Sequence, residues 1–191
     1  LDIKAPNIGL LDLNLVINDI YFSPGKKKML GYEDDELPNE FSTWENNIEP
    51  EDLKKSWELQ QQLISKQIDR FVLEFKMQHK AGHWVDILSR AEAFFDKDGK
   101  AIRIVGTHTD ITERKKSEVI LKDLIEKNPM SIQILDMEGY PIHANPAHTN
   151  LFGVKVPPDY SVLKDTQLLS LGFDKLFDQI KKGGVVYFPD S

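Results

Sequence analysis

With 191 residues the chain suits one domain or two small ones, and a hydrophobic content of 40% supports a packed core and speaks against wholesale disorder. A net charge of −7, from 24 basic and 31 acidic residues, is a poor match to a nucleic-acid binder, which needs a basic face. The absence of cysteine removes disulfides, Cys-ligated zinc and thiol catalysis and fits a reducing compartment, and no apolar run approaches the roughly 18 residues that span a membrane. No signal peptide is visible. The chain opens on Leu1 rather than Met and reads as a piece of something longer.

Ile8–Asn14 and Val16–Ser23 are short apolar runs separated by Asn and Asp, the pattern of a hairpin. Ser23-Pro24 then opens a short helix that Gly31 stops. Its lysines, in SPGKKKMLG, have no phosphate-loop spacing and are expected on a solvated face. Turns and brief helical pieces follow to Glu49, including the acids Asp34, Asp35 and Glu36, which read as a solvated loop. The clearest helix starts at Pro50, with acids in its first turn and Leu53, Trp57, Leu63 and Ile64 on one face.

At Arg70 the hydrophobic period changes from 3.6 to 2. Phe71, Leu73, Phe75 and Met77 alternate with Val72, Glu74, Lys76 and Gln78, as in a half-buried strand. KAGH and DKDG turn the chain between this strand and two more, WVDILSRAEAFF and AIRIVGTHTDI. The predicted fold is α+β, with an antiparallel five-stranded sheet covered by helices on one face. A charged helix follows, on which Ile120, Leu121, Leu124 and Ile125 form one apolar stripe until Asn128-Pro129 stops it.

The opening pattern then recurs. MSIQILDMEGYPIHANPAHTNLFG repeats the order run, turn, run, Pro-led short helix and Gly of LLDLNLVINDIYFSPGKKKMLG. This second copy reaches GGVVYFPDS, where its third strand is expected to begin, without the residues for a full meander.

No catalytic constellation emerges. His79 and His83 flank a hairpin turn, and all five histidines, with His108, His143 and His148, are expected at the surface or in hairpins; no metal site is predicted.

The element order, H-K-x-G-x-W, D-x-D-G and above all the closing G-T-x-x-D-I-T-E-R-K resemble a PAS domain with its C-terminal PAC motif over Ile8–Lys115. Met130–Gly153 resembles the start of a second one. Two positions depart from the family wording: Glu49-Pro50 stands for His-Pro, and Lys80-Ala81-Gly82 for Lys-Asp-Gly. The resemblance implies a PAS domain over 1–112, a signalling helix over 113–128 and an incomplete second PAS domain over 129–191.

It also implies a cytoplasmic sensory or relay module of a two-component sensor histidine kinase, with kinase activity outside this chain. The alternatives are a ligand-free dimerising spacer, or the input module of a cyclic-dinucleotide enzyme or transcription regulator. Haem and covalent flavin are disfavoured, because the long helices carry no histidine and the chain no cysteine, and the cofactor stays unknown. Candidate walls of a small-ligand pocket are Tyr32, Phe41, Trp44, Trp57, Phe75 and Met77; a polar group stranded among them would mark a sensor, and none is evident from the sequence. Asp110, Thr112 and Glu113 are expected to join sheet to output helix, with Thr112 as its cap and Asp110 and Glu113 at capping-box spacing. A homodimer through the Ile120, Leu121, Leu124 and Ile125 stripe is expected, with other domains of a parent chain as partners.

Overall fold

The computed structural model describes residues 8–186, which fall into two compact units divided after Ser117. Unit 1 holds one antiparallel sheet of β1 (Ile8–Asn14), β2 (Asp19–Phe22), β3 (Arg70–Gln78), β4 (Trp84–Phe95) and β5 (Ala101–Asp110), in the order β2-β1-β5-β4-β3. The first and last strands of unit 1 pair near its centre, where Gly9 faces His108 and Leu13 faces Ile104 across β1 and β5. Between β2 and β3 the chain forms α1 (Pro24–Met29), α2 (Phe41–Asn47) and α3 (Pro50–Ile64).

The period-2 pattern decides which face is covered. Phe71, Phe75 and Met77 of β3, Val85, Ile87 and Ala91 of β4, and Ile104 of β5 enter one core with Leu13, Ile20 and Phe22. Trp44 of α2 and Leu63 of α3 close it from the helical side. On the other face Tyr21, Val72, Trp84 and Phe94 remain exposed. Gly82 makes the β3–β4 turn with φ +88°, a conformation that glycine adopts without steric cost.

Where α1 meets β1 the approach is unusually close. Ser23 caps α1, its Oγ accepting from Lys26 N at 3.3 Å and from Leu10 N at 2.8 Å, and so pins the helix start to the neighbouring strand. A Cβ at Gly9 would come within 2.5 Å of Lys26 Cα, so only glycine lets the helix lie here. Consequently Lys26 and Lys27 are buried, and the expectation of a solvated lysine face is corrected: only Lys28 of the three is exposed. Lys27 Nζ is satisfied, donating to Asp34 O at 2.7 Å and pairing with Asp34 Oδ1 at 3.0 Å.

In unit 2, β6 (Gln133–Leu135) and β7 (Pro141–Ala144) form a two-stranded antiparallel sheet. They are followed by α5 (Pro146–Phe152), a 3-10 turn at Val162–Lys164, α6 (Thr166–Ser170) and α7 (Asp174–Lys181). Asn145 caps α5 as Ser23 caps α1: its Oδ1 accepts from His148 N at 3.0 Å and from Ile132 N at 2.9 Å. The third residue after each cap, Lys26 or His148, is buried. Residues 187–191, which include most of the segment where a third strand of the second copy is expected, lie outside the described residues.

Candidate functional site

The inner face of the unit 1 sheet encloses a cavity of about 30 Å³. Its wall is mostly apolar, with Leu13, Phe22, Phe71 and Ile104 from the strands, and it includes Phe41, Trp44 and Phe75 of the six candidate pocket residues. Trp57 stands one layer back, its ring 5.2 Å from Phe41 and 6.1 Å from Trp44. Met77 is buried in the core, and Tyr32 is half-buried with Lys80 Nζ 5.8 Å from its ring; neither reaches the cavity wall.

Three polar atoms in this wall have no hydrogen-bond partner: Lys26 Nζ, Ser56 Oγ and His108 Nδ1. Lys26 and His108 are each 2% exposed and Ser56 is 3% exposed. The expectation that no polar group is stranded among the pocket aromatics is thus overturned, as is the surface placement of His108 and of the buried His148. Lys26 Nζ lies 3.5 Å from the centre of the Phe22 ring, a cation–π position. Burial drives the Lys26 amine well below its usual pKa; burial, with the nearby Lys26, drives His108 well below the usual imidazole value. Among the described residues no Asp or Glu stands in the cavity wall to offset either group. His108 was legible from β5 itself, since it shares the face of buried Ile104 and Gly106. Lys26 had no such signal.

Two residues beyond His108 the sheet hands over to α4 (Thr112–Glu126). Asp110 Oδ1 accepts from Thr112 N at 2.8 Å, holding the first turn as expected of Asp110. Thr112, however, does not cap. It lies inside the helix, and its Oγ1 accepts from Asp86 N of β4 at 3.0 Å, while Ile111 N donates to Asp86 O at 2.9 Å. Nor does the capping box form: Glu113 pairs with Lys116 at 2.8 Å instead. The handover is completed by Lys115, whose Nζ is 3.0 Å from both Asp86 and Glu74, and by Arg114 at 2.9 Å from Glu74. Sequence reasoning missed Asp86 and Glu74 because they come from strands remote in the chain.

Hydrogen bonding from Lys115 holds the Glu74 carboxyl below its usual pKa despite some burial. A carboxylate with a depressed folded-state pKa contributes stability that is present above its unfolded value and lost as pH falls through the folded one. Amide exchange over 113–117, corrected for its intrinsic pH dependence, is therefore expected to be flat through neutral pH and to quicken below about pH 4. High salt at neutral pH should imitate the effect weakly, because these side chains are more than a third exposed. Protection that stays constant down to pH 3 would remove the ion pairs from the joint.

Along α4, Ile120 and Leu121 are each 60% exposed and Leu124 is 64% exposed, with Val119 beside them and Ile125 half-buried. Unit 2 has its own open cavity of about 430 Å³, lined by His148, Phe152, Tyr160 and Leu168 among others, with His148 Nδ1 unpartnered. Among the described residues no three His, Asp or Glu side chains gather as a metal site, and no helix is long and apolar enough to cross a membrane.

The PAS-fold family model matches residues 19–108. A sensory box histidine kinase/response regulator from Burkholderia thailandensis has a solved structure that is 30% identical, covering 65% of this chain and 92% of that one with a TM-score of 0.55. The N-terminal domain of a diguanylate cyclase with PAS/PAC sensor from Marinobacter aquaeolei is 17% identical, covers 56% of this chain and 98% of that one, and has a TM-score of 0.50, which supports the fold alone. No curated protein matches the sequence. The closing motif at the sheet–helix handover, the five-stranded order and the match to the Burkholderia structure agree, and the chain belongs to the PAS family of sensory domains.

Proposed function

We propose that unit 1 is the input and relay module of a two-component sensor histidine kinase, transmitting the state of its cavity to an output through α4. The observation that carries this reading is the position of two residues on one strand: His108 lines the cavity, and Asp110 holds the first turn of α4. A parallel link runs along β4, where Ser89 lines the cavity and Asp86 bonds both Ile111 and Thr112. A change of cavity occupancy that shifts β4 against β5 must therefore disturb the helix start. The kinase context is supported by the likeness to the sensory box histidine kinase of Burkholderia thailandensis; the activity itself would reside in other domains of the parent chain. In this reading the apolar stripe of α4 pairs with the same helix of a second copy, making a homodimer.

Replacing Asp110 by Ala should remove one bond at the start of α4 at a cost of about 1 kcal/mol, in the range of lost helix caps. Amide exchange at Glu113–Ser117 should quicken while the core strands stay protected. Thr112→Val should act similarly, because it leaves Asp86 N without its acceptor. Unchanged exchange in both variants would show that the polar joint does not hold the helix and would end the relay reading.

A further inference from the structure

We infer that the unit 1 cavity binds a small monocarboxylate, whose two oxygens accept from Lys26 Nζ and Ser56 Oγ and whose short alkyl part faces Phe71, Phe75 and Ile104. The inference rests on reading this domain as a sensor and adds the chemical class of what it senses.

Among the described residues the titratable groups in the cavity wall are Lys26 and His108, both basic, and no carboxylate faces them. An amine placed so deep without a counter-charge is costly unless it gives up its proton or a ligand brings an anion. Its place is not an accident of a flexible side chain. The Ser23 cap and the close approach to Gly9 fix the backbone of Lys26 against β1, and the ring of Phe22 lies under the amine.

Buried polar atoms in native proteins are nearly always partnered. Here three orphans from three separate elements, Lys26 Nζ of α1, Ser56 Oγ of α3 and His108 Nδ1 of β5, line one small cavity. A carboxylate offers about four lone-pair sites on two oxygens, enough for all three donors once His108 carries its proton on Nδ1. Water could satisfy hydrogen bonds but could not balance the amine.

A volume of about 30 Å³ holds a few heavy atoms, on the scale of two or so waters. One amine matches one negative charge, so a phosphate dianion is too highly charged for this site. The apolar remainder of the wall suits a methyl or ethyl group, which points to molecules of acetate or propionate size.

The test uses the chain as it stands, followed by calorimetry at constant ionic strength with chloride as the balancing anion. Acetate and propionate are compared with acetamide and propionamide, which have nearly the same shape and no charge. At about ten times its Kd a bound acid should raise the Tm of unit 1 by roughly 5–10 °C. The amides should leave it unchanged. Above the pKa of the ligand-free amine, binding takes up one proton, so affinity should fall about tenfold per pH unit. Lys26→Met should raise the ligand-free Tm, by removing an unbalanced buried amine, and abolish the acetate response. Ser56→Ala should retain the response with affinity lowered roughly tenfold.

Equal responses to acid and amide, or no response to any acid from formate to butyrate, would overturn the assignment, and neither comparison depends on a variant folding. Exchange over 113–117 on the same samples separates this inference from the relay. Acetate that raises Tm without changing that exchange supports the ligand class and removes the relay. Exchange that responds to Asp110→Ala in a protein indifferent to carboxylates overturns the ligand class and leaves the relay standing.

Discussion

Phe22→Ala is expected to cost unit 1 about 3–5 kcal/mol, the range for deleting a fully buried aromatic ring, and to lower Tm by roughly 10–30 °C. Phe22 is 1% exposed, at the end of β2 where the sheet passes into α1. Its ring does two things. It fills the core beside Leu13 and Ile20, and it lies under the Lys26 amine. Removing it enlarges the cavity and strips the amine of its contact with the ring, so little collapse can offset the loss. Against a typical domain stability of about 5–15 kcal/mol, such a change leaves a domain at the low end of that range close to unfolded. Tyr21→Ala is the internal comparison. Tyr21 is next in sequence but points to the open face of the sheet, and its loss should change stability by no more than about 0.5 kcal/mol. Thermal unfolding of the two variants, read at one probe in the sheet, decides the matter: comparable losses would mean that the assignment of inner and outer faces at β2 is wrong.

That contrast also marks how far the sequence could be read. Strand alternation reports parity, and parity was enough to place Phe71, Phe75 and Met77 on the covered face, while the short turns between the runs point to the antiparallel five-stranded fold. It would also have placed His108 inside, on the face of Ile104, had histidine not been treated as a surface residue by type. Lys26 is different in kind. Helix α1 is six residues long, less than two turns, so its sequence carries too few positions to show an inward face. Burial of Lys26 follows from Gly9, seventeen residues earlier, and only the folded pairing of β1 with α1 brings the two together. The candidate aromatics show the same limit. Phe41, Trp44 and Phe75 reach the cavity, whereas Trp57, Tyr32 and Met77 are equally suitable by composition and are used to back the wall or to fill the core.

The handover to α4 was legible in part, and the reason is again distance along the chain. Asp110 and Thr112 are neighbours, and a short polar residue two positions before a backbone N–H is a local signal. The partners that make the joint a crossing point of three strands, Asp86 and Glu74, lie 26 and 40 residues from the helix residues they bind. A local reading therefore assigned Thr112 to capping, when its hydroxyl is committed to the backbone of β4. This changes what the joint can transmit. A cap would sense only its own helix, whereas a threonine tied to Asp86 registers sliding of β4 against β5.

The double substitution Leu121→Asp, Leu124→Asp is expected to weaken self-association at least a thousandfold. Leu121 and Leu124 are about two-thirds exposed on a helix that is otherwise charged, next to Ile120. Burying a leucine contributes about 1.5–3 kcal/mol, and a two-fold helix pair would bury four of them, two from each copy. The substitution replaces all four with carboxylates that would face one another across the seam, so the lost burial and the added repulsion act together. Wild-type affinity should nevertheless be modest. The apolar stretch from Ile120 to Ile125 spans less than one heptad, too short for a stable coiled coil by itself, and the ordering cost of joining two chains comes off the gain. The pairing must then draw on the domain faces as well, for which the exposed Val72, Trp84 and Phe94 of the open sheet face supply apolar area. Sedimentation velocity over a concentration series separates the cases. A wild type that dimerises in the micromolar range, with a double variant that stays monomeric and unfolds at the same temperature, is the expected result. A wild type that remains monomeric at the highest concentration, or a variant that dimerises as well as wild type, takes this helix out of the interface. A variant that associates normally but loses association when Trp84→Ser is added would move the interface to the open face of the sheet, and with it the route by which the cavity could reach a partner.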